Sequence, residues 1–216
     1  MEKVLFVCYF FAPQNDTGTF RSVNFVKRLP QRGFQPVVFT TDEPSILKNG
    51  GKIDHTIAKD IPVDIEIVRF EDINKSYSFW SKIKLYRLPW TFCFRKHMDI
   101  YAGWSRSIVE PAVEKIKIEN IKFIYVSCAP VSAAYSAIKI KKKSGASLVV
   151  DFRDPYTDAY GSYFPGKFNF NKANSIEREI IEQSDTVVVN TEEVKKLFTR
   201  KYPHCKSKFE VITNGY

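Results

Sequence analysis

Short apolar runs recur along this chain, each about the length of a single β-strand and each followed by a longer segment with helical spacing. The runs Val4–Phe11, Pro36–Thr41, Val63–Phe70, Lys122–Ser127, Ser147–Phe152 and Thr186–Asn190 carry apolar residues on both faces, and a seventh, Phe209–Thr213, closes the series. Strands that are apolar on both faces sit between two helical layers, so the pattern predicts an α/β fold: a doubly wound, mostly parallel sheet of about seven strands. The helical segments are Thr19–Arg32, Tyr101–Glu119, Ser132–Lys143, Lys172–Ser184 and Glu192–Lys201. Thr17 or Asp16 serves as N-cap of the first, Gly33 stops it, and Pro30 distorts its last turn.

A chain of 216 residues with 44% hydrophobic residues buries the core of one generous domain, and no repeat or flexible linker divides it. Cys8, Cys93, Cys128 and Cys205 are scattered and have no histidine at ligand spacing, so neither a disulfide framework nor a metal site is expected, and a cytoplasmic compartment fits. The longest apolar run, Val4–Ala12, is too short to cross a bilayer. Glu2 spoils the basic start of a signal peptide, and no small-x-small cleavage site follows.

In such a sheet, ligands bind beyond the carboxyl ends of the strands. The segments to read there are Ala12–Thr19, Thr40–Asn49, Cys128–Ser132, Arg153–Gly166 and Thr191–Glu192. In the first, Gly18 precedes a helix, where free N–H groups and the helix dipole favour a phosphate; the alternative is that Gly18 only serves the turn. No G-x-G-x-x-G and no G-x-x-x-x-G-K-[ST] occurs, so a dinucleotide cofactor is poorly supported and a P-loop is excluded. The segment Asp151-Phe152-Arg153-Asp154-Pro155-Tyr156 places two carboxylates and a guanidinium at the end of a buried strand, which is expensive unless they are paired or used. Asp151 is expected to be structural and Asp154, further into the mouth, to be the functional acid; the alternative is an Arg153–carboxylate pair that only pins the loop.

Taken together these residues resemble a known family. Val4-Leu5-Phe6-Val7, Phe10-Phe11-Ala12-Pro13, the Gly18 loop, Arg21 and Gly33–Thr41 are similar to the opening of group 1 (family 4) glycosyltransferases of the GT-B fold. Trp104, Ser127-Cys128-Ala129-Pro130, Asp151–Tyr156, Ser184–Thr191 and Val211–Tyr216 follow in the family's order. The resemblance implies a Rossmann-like, acceptor-side domain spanning residues 1–216, one half of a GT-B enzyme, without the carboxyl-terminal donor domain and its E-x7-E element. Asn214-Gly215-Tyr216 resembles the junction between the halves.

The resemblance further implies transfer of a sugar, with retention and without a cofactor or metal, from a nucleotide-sugar donor to a polysaccharide or lipid-linked glycan acceptor. On that reading the Gly18 backbone approaches the donor diphosphate, and Arg21 adds a charge-assisted contact to it. Thr17, Arg153, Tyr156 and Thr191 belong to the acceptor-side loops around them. Many relatives carry a histidine after the fourth strand where this chain has Cys128-Ala129-Pro130, so Asp154 is the candidate for the group near the acceptor hydroxyl. The chain alone is expected to be inactive.

The formal net charge is +9, and most of the excess lies in residues 73–98, where Lys75, Lys82, Lys84, Arg87, Arg95 and Lys96 occur without an acid. Seven aromatics, Tyr77, Phe79, Trp80, Tyr86, Trp90, Phe92 and Phe94, are interleaved with them. Trp80, Lys82, Lys84, Arg87 and Trp90 form a candidate patch for an anionic membrane surface, at which a lipid-linked acceptor would be met. The alternative is that the rings pack on the domain while the cations face water. No RNA- or DNA-binding motif accompanies the patch, so nucleic acid is not an expected partner. The competing reading of the whole chain is a non-enzymatic Rossmann-like module that binds a phosphorylated or glycan ligand.

Overall fold

The computed structural model describes residues 1–59, 61–73, 99–159 and 166–214. Trp80, Lys82, Lys84, Arg87 and Trp90 lie outside these residues, as do Cys93, Gly215 and Tyr216. The strands are β1 (Glu2–Val7), β2 (Phe34–Thr41), β3 (Glu66–Phe70), β4 (Phe123–Ser127), β5 (Ser147–Phe152), β6 (Thr186–Val189) and β7 (Phe209–Val211). They form one sheet in the order β3-β2-β1-β4-β5-β6-β7. Every pair is parallel. The order reverses between β1 and β4, and it is beyond the carboxyl ends at such a switch point that sheets of this kind form their ligand crevice.

The helices are α1 (Thr17–Arg28), α2 (Glu43–Lys48), α3 (Ala102–Ser107), α4 (Val109–Glu119), α5 (Val131–Ser144), α6 (Tyr156–Ala159), α7 (Gly166–Gln183) and α8 (Glu192–Lys201). Of the two proposed caps of α1, Asp16 is the one used: its Oδ1 accepts from the Gly18 N–H at 2.9 Å. After Arg28 the chain tightens into a 3-10 turn, Pro30–Arg32, and Gly33 ends it with φ 85°, a left-handed conformation suited to glycine. The segment read as one helix, Tyr101–Glu119, is two, divided at Ile108. The short α2 and α6 were not foreseen, although Asp42, whose side chain accepts from Ser45 N, is a legible cap for α2.

Three strands are shorter by two residues or more than the apolar runs suggest. β1 ends at Val7, yet Cys8, Tyr9, Phe11 and Ala12 stay buried because they pack into the core on the two faces of the sheet. β3 starts at Glu66 rather than Val63, which is fully exposed. Its residues are at most half-buried, since β3 is an edge strand and not one enclosed on both faces. β7, the other edge, ends at Val211. The core lies on both faces of the sheet. The larger cluster includes Leu5, Val7, Ile124, Val126, Leu148 and Val150, and the smaller one packs Val23 and Val26 of α1 on Phe6, Cys8 and Val38.

Candidate functional site

The crevice begins at the amino end of α1. Gly18 is buried there, and its φ lies outside the left-handed region, so a turn does not require glycine at this position. Space does: a Cβ on Gly18 would lie 2.3 Å from Arg153 Nη1 and 3.1 Å from Phe10 Cβ. The absent side chain lets the Arg153 guanidinium rest on the first turn of α1. Arg153 itself follows β5, is half-buried, and makes no hydrogen bond or ion pair among the described residues. The Arg153–carboxylate pin weighed from the sequence is therefore not formed.

The pairing falls to a different arginine. Arg21, one turn into α1 and buried, donates from Nε to Asp151 Oδ2 at 2.7 Å and from Nη2 to Asp151 Oδ1 at 3.0 Å. Nη2 also donates to the Ile212 carbonyl at 2.8 Å and Nη1 to Asn214 Oδ1 at 2.9 Å. Tyr125 OH donates to the same carboxylate from β4. Asp151 is fully buried and answered on both oxygens, as its structural role required. Burial alone would lower the Arg21 pKa, but the bonds and charge of Asp151 hold it above the ordinary value. Burial, and then the charge of Asp151, push the Tyr125 phenol well above its usual range. The fork expected to reach outward to phosphate is thus engaged inward, because a carboxylate at zero exposure needs a bidentate partner.

A cavity of about 730 Å³ runs along the outer face of α1, between Thr17, Phe20 and Asn24 and the segment after β7, Ile212–Asn214. Its cations are Arg21, Arg28 and Arg153, and no carboxylate is among its described lining residues. Thr17 is exposed at its upper end. Asp154 is half-buried in the turn after Arg153 and is not among the residues lining this cavity.

Two other predicted residues are placed by packing. Tyr156 starts α6, is 8% exposed and belongs to the core, and burial pushes its phenol above the ordinary value, helped by the charges of Asp99, Cys128 and Glu177. Thr191 caps α8, its Oγ1 accepting from Val194 N at 3.2 Å. Behind the Arg153 loop, buried Glu177 accepts from Thr157 N (2.8 Å), Lys201 Nζ (2.7 Å) and Tyr202 OH (2.7 Å), which anchors α6.

A second polar group at the switch point was missed from the sequence. Asp72 is 2% exposed; its Oδ2 accepts from Tyr9 OH at 3.3 Å and Asn49 Nδ2 at 3.1 Å, while Oδ1 has no partner among the described residues. Asp99 accepts from Ser132 N at 2.8 Å, Ser132 Oγ at 2.6 Å and Tyr101 N at 3.0 Å, so it caps α5. Burial raises its pKa more than those bonds lower it, and Asp72 adds to the rise. The available signal was their position: Asp72 and Asp99 flank the acid-free stretch. Cys128, in the place of the relatives' histidine, is buried, and burial first, then nearby acids, drive its thiol far above the ordinary value, so it is no nucleophile or base at neutral pH. Among the described residues no group of histidine, cysteine or acidic side chains is placed to hold a metal. No helix among them is long and apolar enough to cross a membrane.

Comparison with known proteins follows the same lines. The model of Glycosyltransferase Family 4 matches residues 21–216. No curated protein matches the sequence. The chain is similar to sucrose-phosphate synthase from Thermosynechococcus elongatus, with TM-score 0.62 and 10% identity over 100% of this chain and 49% of that one. It is similar to Anabaena Alr3699/HepE in complex with UDP and glucose, with TM-score 0.54 and 14% identity over 100% of this chain and 45% of that one. For S. aureus MnaA with UDP the TM-score is 0.54 at 13% identity, covering 98% and 43%. The chain spans about half the length of these structures, and at such identities the likeness is one of fold.

Proposed function

The chain belongs to glycosyltransferase family 4, and from that premise we propose that it is the acceptor-side half of a GT-B enzyme that transfers a sugar from a nucleotide-sugar donor. The observation that carries this reading is the Arg153 guanidinium resting on Gly18 at the amino end of α1. There a cation without a counter-ion among the described residues rests on a helix end that Asp16 caps, beside a cavity with no acid among its described lining residues. Two of the structures of similar fold are described with UDP, which supports a nucleotide-bearing ligand.

In the proposed reaction the acceptor hydroxyl forms a bond to the anomeric carbon, with retention, as the bond to the nucleoside diphosphate breaks. Charge develops on the leaving phosphate oxygens, and the Arg153 guanidinium, held against the first turn of α1, stabilises it. Arg153 supplies the outward-facing guanidinium, while Arg21, engaged with Asp151, holds the wall behind it. Asp154, next along the chain, is the carboxylate assigned to the acceptor-hydroxyl proton. The acceptor in this reading is a polysaccharide or lipid-linked glycan met at an anionic membrane surface through Trp80, Lys82, Lys84, Arg87 and Trp90.

Arg153→Gln in the enzyme that contains this domain should raise the donor KM about 10- to 100-fold, the worth of a charge-assisted contact. Asp154→Asn should lower kcat with little change in donor KM. A wild-type enzyme that neither binds nor turns over any of a panel of nucleoside diphosphate sugars would overturn the assignment. Co-sedimentation with phosphatidylglycerol vesicles should fall with added salt and with Lys82, Lys84 and Arg87 changed to Gln; indifference to both would remove the membrane from the proposal.

A further inference from the structure

Arg21 joins three parts of the molecule that are far apart in sequence. It belongs to α1, whose amino end carries Gly18; its fork closes on Asp151 at the end of β5; and its remaining contacts go to Ile212 and Asn214, just after β7. The segment after β7 is otherwise tied to the sheet by one backbone bond, Ile212 N to the Val189 carbonyl at 2.9 Å. Ile212 is 41% exposed, and Thr213 and Asn214 are exposed as well, so packing does little to direct them. Two bonds from a guanidinium that cannot lose its charge are the strongest constraint on where this segment points.

The guanidinium itself is held without slack. Asp151 is fully buried and receives both Arg21 and Tyr125. Arg21 also lies 5.0 Å above the centre of the Phe25 ring. A buried carboxylate with its bidentate partner has one arrangement, and displacing it would leave a charge without compensation. The position of Arg21 is therefore set by the sheet, and Arg21 in turn sets the position of the segment leaving it.

We propose that Arg21 is a positioning residue: it fixes the direction in which the chain leaves β7 relative to the Gly18–Arg153 site. This rests on the reading that a donor-binding half is joined through that segment. The spacing between the two halves then depends on a contact made inside the first. Arg21 acts on the donor through geometry, whereas Arg153 faces it directly.

The test compares Arg21→Gln, Arg21→Lys and Asn214→Ala with Arg153→Gln, all in the enzyme that contains this domain, by hydrogen exchange at the Ile212 amide and by steady-state kinetics. Asn214→Ala keeps the buried pair intact, so it remains informative if Arg21→Gln does not fold. Expected are exchange at Ile212 about 10-fold faster in Asn214→Ala, and faster still in Arg21→Gln, with partial rescue by Arg21→Lys. The donor kcat/KM should fall in the same order while the acceptor KM stays within about twofold. Arg153→Gln should weaken donor binding and leave Ile212 exchange unchanged. Unchanged exchange in both Asn214→Ala and Arg21→Gln would overturn the clamp whatever the activity. Faster exchange with wild-type kinetics would overturn the positioning role and leave the glycosyltransferase reading intact. Faster exchange in a wild-type background that uses no nucleotide sugar would refute that reading and, with it, the role in positioning a donor.

Discussion

Arg21 and Arg153 approach the same end of α1, and the protein treats them oppositely. Arg21 is buried and engaged with Asp151, Ile212 and Asn214, so its charge is consumed in holding the fold. Arg153 has no hydrogen-bonding or ionic partner among the described residues and lies against the first turn of α1, whose amino end Asp16 caps. The pair separates a structural charge from a binding charge by geometry, where composition treats the two residues alike.

The largest expected effect is on stability. Arg21→Ala or Asp151→Ala leaves an uncompensated buried charge and should lower unfolding free energy by about 3–5 kcal/mol, whereas Arg153→Ala should stay within about 0.5 kcal/mol. Urea denaturation of the three variants measures this directly. Equal losses for Arg21→Ala and Arg153→Ala would erase the distinction between the two arginines.

Gly18→Ala probes where they meet. The new Cβ would displace the Arg153 guanidinium, the end of a flexible side chain, and press on Phe10. The expected cost is about 1 kcal/mol, at the low end for overpacking. UDP affinity should fall about tenfold, read by titration calorimetry, as one charge-assisted contact is pushed aside. Unaltered UDP affinity would detach Gly18 and Arg153 from the donor.

The smallest effect extends the comparison to carboxylates, since among the described residues Asp151 is answered by a cation and Asp99 by neutral donors only. Asp99 has its native pKa raised by burial, with Asp72 contributing. The folded state then holds the proton more tightly than the unfolded chain. The stabilisation is complete below the ordinary carboxylate value and is lost as pH rises through the raised native one. Relative to Asp99→Asn, the wild type should lose stability between acid and neutral pH, which denaturation midpoints across that range would show. A difference that does not change with pH would mean that Asp99 titrates normally in the fold.

Much of this architecture was legible. The seven apolar runs became the seven parallel strands because alternating short and long hydrophobic periods permit few alternatives. Thr17 or Asp16 at its start and Gly33 at its end marked the first helix because capping chemistry is local. Asp151 was separable from Asp154 because it sits inside a buried strand. Strand ends were less legible: Cys8, Tyr9, Phe11 and Ala12 are as apolar as β1 and join the same core, yet lie beyond its end at Val7. Val63 is apolar yet exposed, since an edge strand has no neighbour to cover its approach. Asp72 and Asp99 escaped notice because neither lies in a motif; only the strand order brings both to the switch point.

The order of residues was enough to determine the seven strands, their parallel arrangement and the family, because those follow from periodicity and short motifs. Only the tertiary structure decided which arginine meets which carboxylate. Arg21 and Asp151 are separated by 130 positions in sequence and 2.7 Å in space. Arg153, two residues from Asp151, is left facing the cavity. The reason is desolvation. A carboxylate buried in a parallel sheet must be matched by whichever cation the packing of α1 carries to it, and that partner is fixed by strand order rather than by proximity along the chain.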